Sequence, residues 1–186
     1  MNPLKFPLDF VLAIGKLKHV KRAGWLRYPK ISDVESVSDH SYRMSLLSLL
    51  FLKDGKIDVN KCIKMSLVHD LAESVVGDIT PYDNVSNEEK HRRENDAMLQ
   101  ITIDLPSEIK DIIYGLWKEY EEGATDEAKI VKDLDKYEMI LQAYDYENKY
   151  GVDLQEFYKS LDVIKSSQVR EWALQVIQER EKKKKE

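Results

Sequence analysis

Apolar residues recur at spacings of three and four almost from the start of the chain. Leu8, Val11, Leu12, Ile14 and Leu17 predict an amphipathic helix from about Leu8 to Lys21, ended by Gly24. From there to Ser38 the chain carries Pro29, several β-branched residues and no helical period, so it reads as an ordered loop of a length that is often functional. Ser38 as N-cap, with Asp39 in the first turn, opens a second helix through Met44, Leu46, Leu47, Leu49, Leu50 and Phe51 to about Lys53. His40 falls in its first turn. Asp54-Gly55 turns the chain, Asp58 caps a third helix over Val59 to Val76, and Gly77 and Pro81 end it. Beyond Cys62 this third helix is apolar around most of its circumference, which predicts a central, buried position.

Ser86-Asn-Glu-Glu89 is a capping-box pattern opening a fourth helix to about Ile101. Leu105-Pro106 begins a fifth that runs to the Glu121-Glu122-Gly123 stop. Thr125 starts a long sixth helix carrying Val131, Leu134, Met139, Leu141 and Tyr144. Two further helical pieces lie near Leu154 to Ile164 and Gln168 to Lys182. No strand pattern competes, so the expected fold is all-α, a single domain over residues 1–186 with seven or eight helices. Its core spans about residues 8–160, and a C-terminal helix covers 168–182.

The chain has 186 residues, enough for one well-filled core. Its 29 basic and 34 acidic residues leave a net charge of -5, which gives no general electrostatic reason for a nucleic-acid polymer or an anionic membrane as partner. The apolar patch from Phe10 to Ile14 is preceded by Asp9 and followed by Lys16 and Lys18. It is too short for a signal peptide or for a span of ~20 apolar residues. Cys62 is the only cysteine, so an intrachain disulfide framework and a cysteine-rich zinc site are excluded, and a reducing compartment fits. The expectation is a soluble, cytoplasmic protein, in which any metal sits on His and carboxylates.

His69, Asp70, Glu73 and Asp78 fall within ten residues of one apolar run. On a continuous helix Met65, Ser66, His69, Asp70, Glu73 and Ser74 share one side. Burying two carboxylates there, with no Lys or Arg within a turn, sets Coulomb repulsion and desolvation against the fold. A divalent cation is the partner that resolves this most directly. His40 is the best further donor, since His19 and His91 lie in Lys/Arg-rich stretches and read as solvated. Asp135, flanked by Val131, Leu134 and Met139, occupies an inner position of the sixth helix. Asp133 is the alternative donor, but its neighbours Lys129, Ile130, Lys136 and Tyr137 give it a more solvated setting. Trp117, Tyr144, Tyr146 and Tyr150 read as packing residues, and Lys182 to Lys185 as a solvated basic run favourable to a helix C-terminus.

The order His40, His69-Asp70, Asp135 resembles the H…HD…D pattern of HD-domain metal-dependent phosphohydrolases. Three stretches carry the likeness further: Glu35 to Met44 (ESVSDHSYRM), His69 to Pro81 (HDLAESVVGDITP) and Lys132 to Ala143 (KDLDKYEMILQA). They resemble the 5'-deoxynucleotidase branch, the "HD domain-containing protein 2" group, over roughly residues 8–160. The resemblance implies that His40, His69, Asp70 and Asp135 hold a divalent metal (Mn, Co, Mg, Zn or Fe) that activates a water for attack on a nucleoside 5'-monophosphate. Glu73 would orient or deprotonate that water, and Asp78 would protonate the leaving 5'-oxygen. In some relatives Glu73, Asp78 and the Ile79 backbone take a second metal instead, and the two roles stay open.

Bacterial relatives place an Arg-Trp pair after the first helix to read the phosphate and exclude the ribose 2'-hydroxyl. Trp25 matches the Trp, or else simply packs under the loop. Gly24 stands where the Arg belongs, leaving Arg22 or Arg27 to supply the guanidinium, with Lys18, Lys21 and Arg22 as a nearby basic patch. Family members are often homodimers. The competing readings are another HD phosphohydrolase, acting on cyclic nucleotides or polyphosphate, and a non-catalytic scaffold locked by its metal.

Overall fold

A computed structural model describes residues 7–51 and 55–184 of the chain. Among these residues the architecture is helical, with one isolated bridge between Lys21 and Ser36 and no strand. The α-helices are α1 (Leu8–Lys16), α2 (Ala23–Leu26), α3 (Val37–Ser48), α4 (Val59–Val68), α5 (Glu73–Val76), α6 (Asn87–Ile101), α7 (Ser107–Glu122), α8 (Asp126–Tyr150) and α9 (Ser167–Lys183). Two 3-10 segments, Leu49–Phe51 and Gln155–Val163, complete the order.

The chain departs from the sequence pattern at four places. α1 ends at Lys16 instead of Lys21, and residues 20–22 run extended because Val20 and Arg22 exchange backbone hydrogen bonds with Val37 and Glu35. Gly24 therefore does not end α1. It lies inside α2, a helical turn where an ordered loop was expected, and a Cβ on it would meet Phe157 at 3.6 Å. α3 starts two residues early, because Ser36 and not Ser38 caps it. Ser36 Oγ accepts from the Asp39 N–H at 3.2 Å while the Asp39 carboxylate accepts from the Ser36 N–H at 2.8 Å. The end expected for this helix near Lys53, and Asp54 of the turn, lie outside the described residues.

The third predicted helix is the largest departure. It is broken into α4 and α5 by four turn residues, His69 to Ala72, where bonds such as Leu71 N–H to Val68 O (3.1 Å) and Glu73 N–H to Asp70 O (3.1 Å) close three residues back instead of four. Nor is this segment central, for Leu67 is 50% and Val75 45% exposed. Gly77, at φ +77°, ends α5 in a conformation that a side chain would strain.

The central helix is α8. It packs against α3, α4, α7, α9 and the second 3-10 segment, burying Val131, Leu134, Ile140, Ala143 and Tyr146 in the main core. Thr125 caps its start and Gly151 its end. Asp133, expected to be the more solvated of the two α8 aspartates, is buried, and its carboxylate accepts the Lys165 and Ser166 N–H groups at 3.1 and 2.6 Å before α9. Buried Arg180 fastens α9 from the other end, bonding Glu147 with Nε (2.5 Å) and Nη2 (2.8 Å) and lying over the Tyr158 ring at 4.1 Å. Both buried groups are fully paired, the condition under which burial of a charge is tolerated. Trp117 and Tyr146 are buried, as their packing role requires.

Candidate active site

Three elements converge on one point. The first turn of α3 supplies His40, the tight turns after α4 supply His69 and Asp70, and the middle of α8 supplies Asp135. Ligand-type atoms of His40, His69 and Asp135 all lie within 4.8 Å of one another. Asp70 joins them, with Oδ2 3.1 Å from His69 Nε2 and 3.8 Å from His40 Nε2. Each imidazole is held from behind: His40 Nδ1 lies 2.5 Å from Glu138 Oε2, and His69 Nδ1 2.8 Å from the Ser66 carbonyl. The two Nε2 atoms are buried and have no hydrogen-bond partner. Buried nitrogens of this kind are costly unless something pairs with them. Two such imidazoles facing two carboxylates form a donor set that fits a divalent cation of the borderline or hard class.

Charges brought from elsewhere in the chain surround this set. The Arg22 guanidinium reaches Asp70 at 3.5 Å and Asp135 at 3.8 Å, and Lys136 Nζ lies 2.9 Å from Asp135. Burial would raise Asp70 and Asp135, but His69 and Arg22 at the first, and Lys136, His40 and Arg22 at the second, hold both well below the usual carboxylate range. Burial and Arg22 push His40 down, while Glu138 and Asp135 lift it further, to about 9. Glu73 is buried beside them with Oε2 unpaired, and burial, then Asp70 and Asp78, push its carboxyl well above the ordinary range. Asp78 sits just past α5, where its Oδ2 accepts the Ala23 N–H at 2.7 Å.

His69, Asp70, Glu73, Asp78 and Asp135 line a cavity of about 590 Å³, a size suited to a small-molecule ligand, and His40 lies fully buried behind them. Its walls include Arg22, Lys90, Lys136, Tyr120, Phe157 and Ile79.

Residues 14–173 of the chain match the HD domain family. The chain belongs to that family. An HD domain implies a divalent metal, and the His and Asp group described above could bind one. The chain is 51% identical over 157 residues to the 5'-deoxynucleotidase HDDC2 of Danio rerio, covering 83% of this chain and 78% of that one. It is 45% identical over 184 residues to the 5'-deoxynucleotidase hdd1 of Schizosaccharomyces pombe, covering 94% and 90%. Among solved structures, a conserved hypothetical protein from Pyrococcus furiosus is similar at a TM-score of 0.76 and 34% identity, covering 92% of this chain and 99% of that one.

In this HD domain the expected substrate contacts separate. Arg22 reaches the acidic cluster. Lys18 is exposed and absent from the cavity wall, and Lys21 Nζ donates to the Val34 carbonyl at 2.6 Å, so the basic patch does not form. The early end of α1 is the reason, since the helical spacing that would group these cations stops at Lys16. Arg27 is exposed and outside the cavity wall, lying 3.6 Å over the Tyr82 ring and 3.1 Å from Glu156, two residues that line its edge. Trp25 is 2% exposed; its indole N–H goes to Glu35 (2.8 Å) and its ring packs against Tyr146 and Phe157, so it offers a ligand a wall but no polar group. His19 is exposed as expected. His91 is exposed too, but stacks on Trp117 at the cavity rim.

Sequence reasoning missed Lys90, Glu94, Tyr120 and Lys136. For Lys136 a signal existed: Lys132, Asp135, Lys136 and Met139 fall on one stripe of α8, and all four line the cavity. Lys90 and Glu94 gave no such signal on a highly charged helix. Burial raises Glu94 to about 7, with Lys90 opposing and Glu121 and Asp70 assisting. A carboxyl that ionises at about 4.5 unfolded and about 7 folded binds more protons in the folded state. Its contribution to stability therefore falls as pH rises from about 4.5 to about 7, then stays constant. Glu94→Gln is expected to gain on the wild type between pH 5 and pH 8, on the order of 2 kcal/mol, in urea unfolding of the metal-free protein. An equal difference at both pH values would rule out the shift.

Proposed function

We propose that this chain is a metal-dependent 5'-deoxynucleotidase, hydrolysing deoxynucleoside 5'-monophosphates to nucleoside and phosphate. One observation carries the reading: Glu73 and Asp78 line the cavity beside His69, Asp70 and Asp135, and neither belongs to the four-residue donor set. A metal that only locked helices together would need no surplus acids. The identity to the curated 5'-deoxynucleotidases over most of the chain supports the same reaction.

In this reading His40, His69, Asp70 and Asp135 hold the metal, which is Mn, Co, Mg, Zn or Fe. When bound, a divalent cation supplies Lewis-acid polarisation of a phosphoryl oxygen and acidifies water. Glu73 takes the proton of the attacking water as the new P–O bond forms. Asp78, fixed by the Ala23 N–H, gives a proton to the 5'-oxygen as the P–O5' bond breaks. Arg22, Lys90 and Lys136 carry the positive charge that a phosphate dianion needs. Arg22 thereby supplies the guanidinium that is missing at Gly24. Taking Glu73, Asp78 and the Ile79 carbonyl as a second metal site is the alternative. The Lys90 ammonium 3.1 Å from the Ile79 carbonyl favours the proton roles, because that oxygen is already engaged by a cation.

The chain acts as a single HD domain in the cytoplasm, without a nucleic-acid or membrane partner. No described helix is long and apolar enough to cross a membrane. A homodimer belongs to the proposal, supported by exposed Tyr42, Leu46, Leu49 and Leu50 around the end of α3. The test is phosphate release from a panel of deoxynucleoside, ribonucleoside and cyclic monophosphates with each candidate metal. Release from the 5'-deoxynucleotides first among them is expected; no release with any metal overturns the assignment.

A further inference from the structure

We infer that Glu138, held in place by Arg43, is the positioning residue that decides which nitrogen His40 presents to His69, Asp70 and Asp135. The inference rests on the metal-site reading above and adds a residue to it. His40 is fully buried, and its two ring nitrogens face different acids. Nε2 points to the donor set, 3.3 Å from Asp135 Oδ1, and Nδ1 meets Glu138 Oε2 at 2.5 Å. Asp135 and Glu138 are three residues apart on α8, so one helix puts a carboxylate on each side of the ring. His40 and Arg43 are likewise three residues apart on α3.

The two pairs interlock. Glu138 is fully buried, and its second oxygen lies 3.1 Å from Arg43 Nε, an ion pair without hydrogen-bond alignment. Arg43 is anchored in turn by Asp145 at 3.1 Å and by the Gln142 side-chain carbonyl. A buried carboxylate beside a guanidinium stays an acceptor, so the Nδ1–H is retained and Nε2 is the nitrogen that would give up its proton to a cation. His69 reaches the same state by a different route, because its Nδ1 is held by the Ser66 backbone carbonyl, which no substitution removes. It serves as the internal reference.

One other reading of the same atoms exists. Glu35, His40 and Glu138 place ligand atoms within 4.8 Å of one another and could form a second, inner cation site. The hydrogen-bond distance to Nδ1 and the positive charge of Arg43 favour positioning.

The experiment uses the full chain and Zn²⁺ as probe. Calorimetric titration measures affinity and stoichiometry, and ¹⁵N spectra of labelled histidine in the Zn²⁺-loaded protein report the tautomer of each ring. The wild type is expected to show Nδ1–H on His40. Glu138→Gln keeps an acceptor but loses the anion, and is expected to weaken Zn²⁺ binding about 10-fold; Glu138→Ala is expected to weaken it up to about 100-fold. Arg43→Met, at a half-exposed position that spares the core, should fall between the wild type and Glu138→Ala. The His69 signals should stay in place throughout, which a general loss of fold would not allow. Wild-type affinity in both Glu138→Gln and Arg43→Met overturns the inference. So does a wild type that binds two Zn²⁺ of which Glu138→Gln loses one, because Glu138 is then a ligand. If the wild type takes up no Zn²⁺ at all, the metal-site reading fails before any variant is compared.

Discussion

Glu73→Gln is expected to lower turnover of a deoxynucleoside 5'-monophosphate by about 10²–10⁴-fold, the usual contribution of a positioned general base. The substitution keeps the shape of the side chain and removes only its capacity to take a proton. Glu73 is 3% exposed and its Oε2 has no partner in the fold, so the amide is accommodated without breaking an existing bond at that oxygen. Burial, then the charges of Asp70 and Asp78, raise the proton affinity of the carboxyl, and a cation held by Asp70 would lower it again. Metal content measured on the same variant separates the two roles. An unchanged metal content identifies a base; loss of one equivalent identifies a ligand. Near-normal turnover removes Glu73 from the mechanism altogether.

Asp135→Asn is expected to abolish metal-dependent stabilisation as well as activity. Asp135 is the carboxylate on which His40, Arg22 and Lys136 converge, at 3.3, 3.8 and 2.9 Å. Neutralising it leaves those positive groups facing the cavity and takes one anion from the donor set. Metal at a hundred times its dissociation constant stabilises a protein by about 2.7 kcal/mol. For a chain of this size that is a rise in Tm of roughly 5–10 °C. The wild type should show this rise in a melting curve and Asp135→Asn should not. Asp133→Asn is the control. It weakens the cap on the Lys165 and Ser166 N–H groups, so its metal-free Tm should fall, yet the rise on adding metal should persist. A rise in Asp135→Asn that is absent in Asp133→Asn would exchange their roles.

The two aspartates show where sequence reading stopped. Flanking side chains correctly put Asp135 on an inner face, because helical periodicity is a local property. They made Asp133 look solvated, because its partner is the backbone before α9, some thirty residues on, and no local pattern announces a contact of that separation. Arg22 is the same case. Glu73 and Asp70 lack a cation within one turn of their own helix, which made a metal look like their sole partner. The extended residues 20–22 carry Arg22 to Asp70 across 48 positions. His69 and Asp70 also occupy 3-10-like turns where a continuous helix was expected. His69, Asp70 and Glu73 still line one cavity, and for Asp70 and Glu73, three apart, the tighter turns keep both on nearly the same side.

The sequence by itself determined the all-α character, most of the helix ends, and the four residues His40, His69, Asp70 and Asp135 that the fold brings together. Capping side chains, apolar periods and ligand-type residues in apolar runs act over a few positions, and they are visible without coordinates. Tertiary structure alone decided which helix is central, which cations face the cavity, and what stands behind each imidazole. Lys18, Arg22 and Arg27 are alike as residues; they differ only in where the early end of α1 and the turn of α2 point them. Glu138 and Arg43 read as ordinary charges on two distant helices until packing put His40 between α3 and α8. Electrostatic partners of a buried site are chosen by distances in space, and a one-dimensional pattern carries those distances only when the partners share a helix.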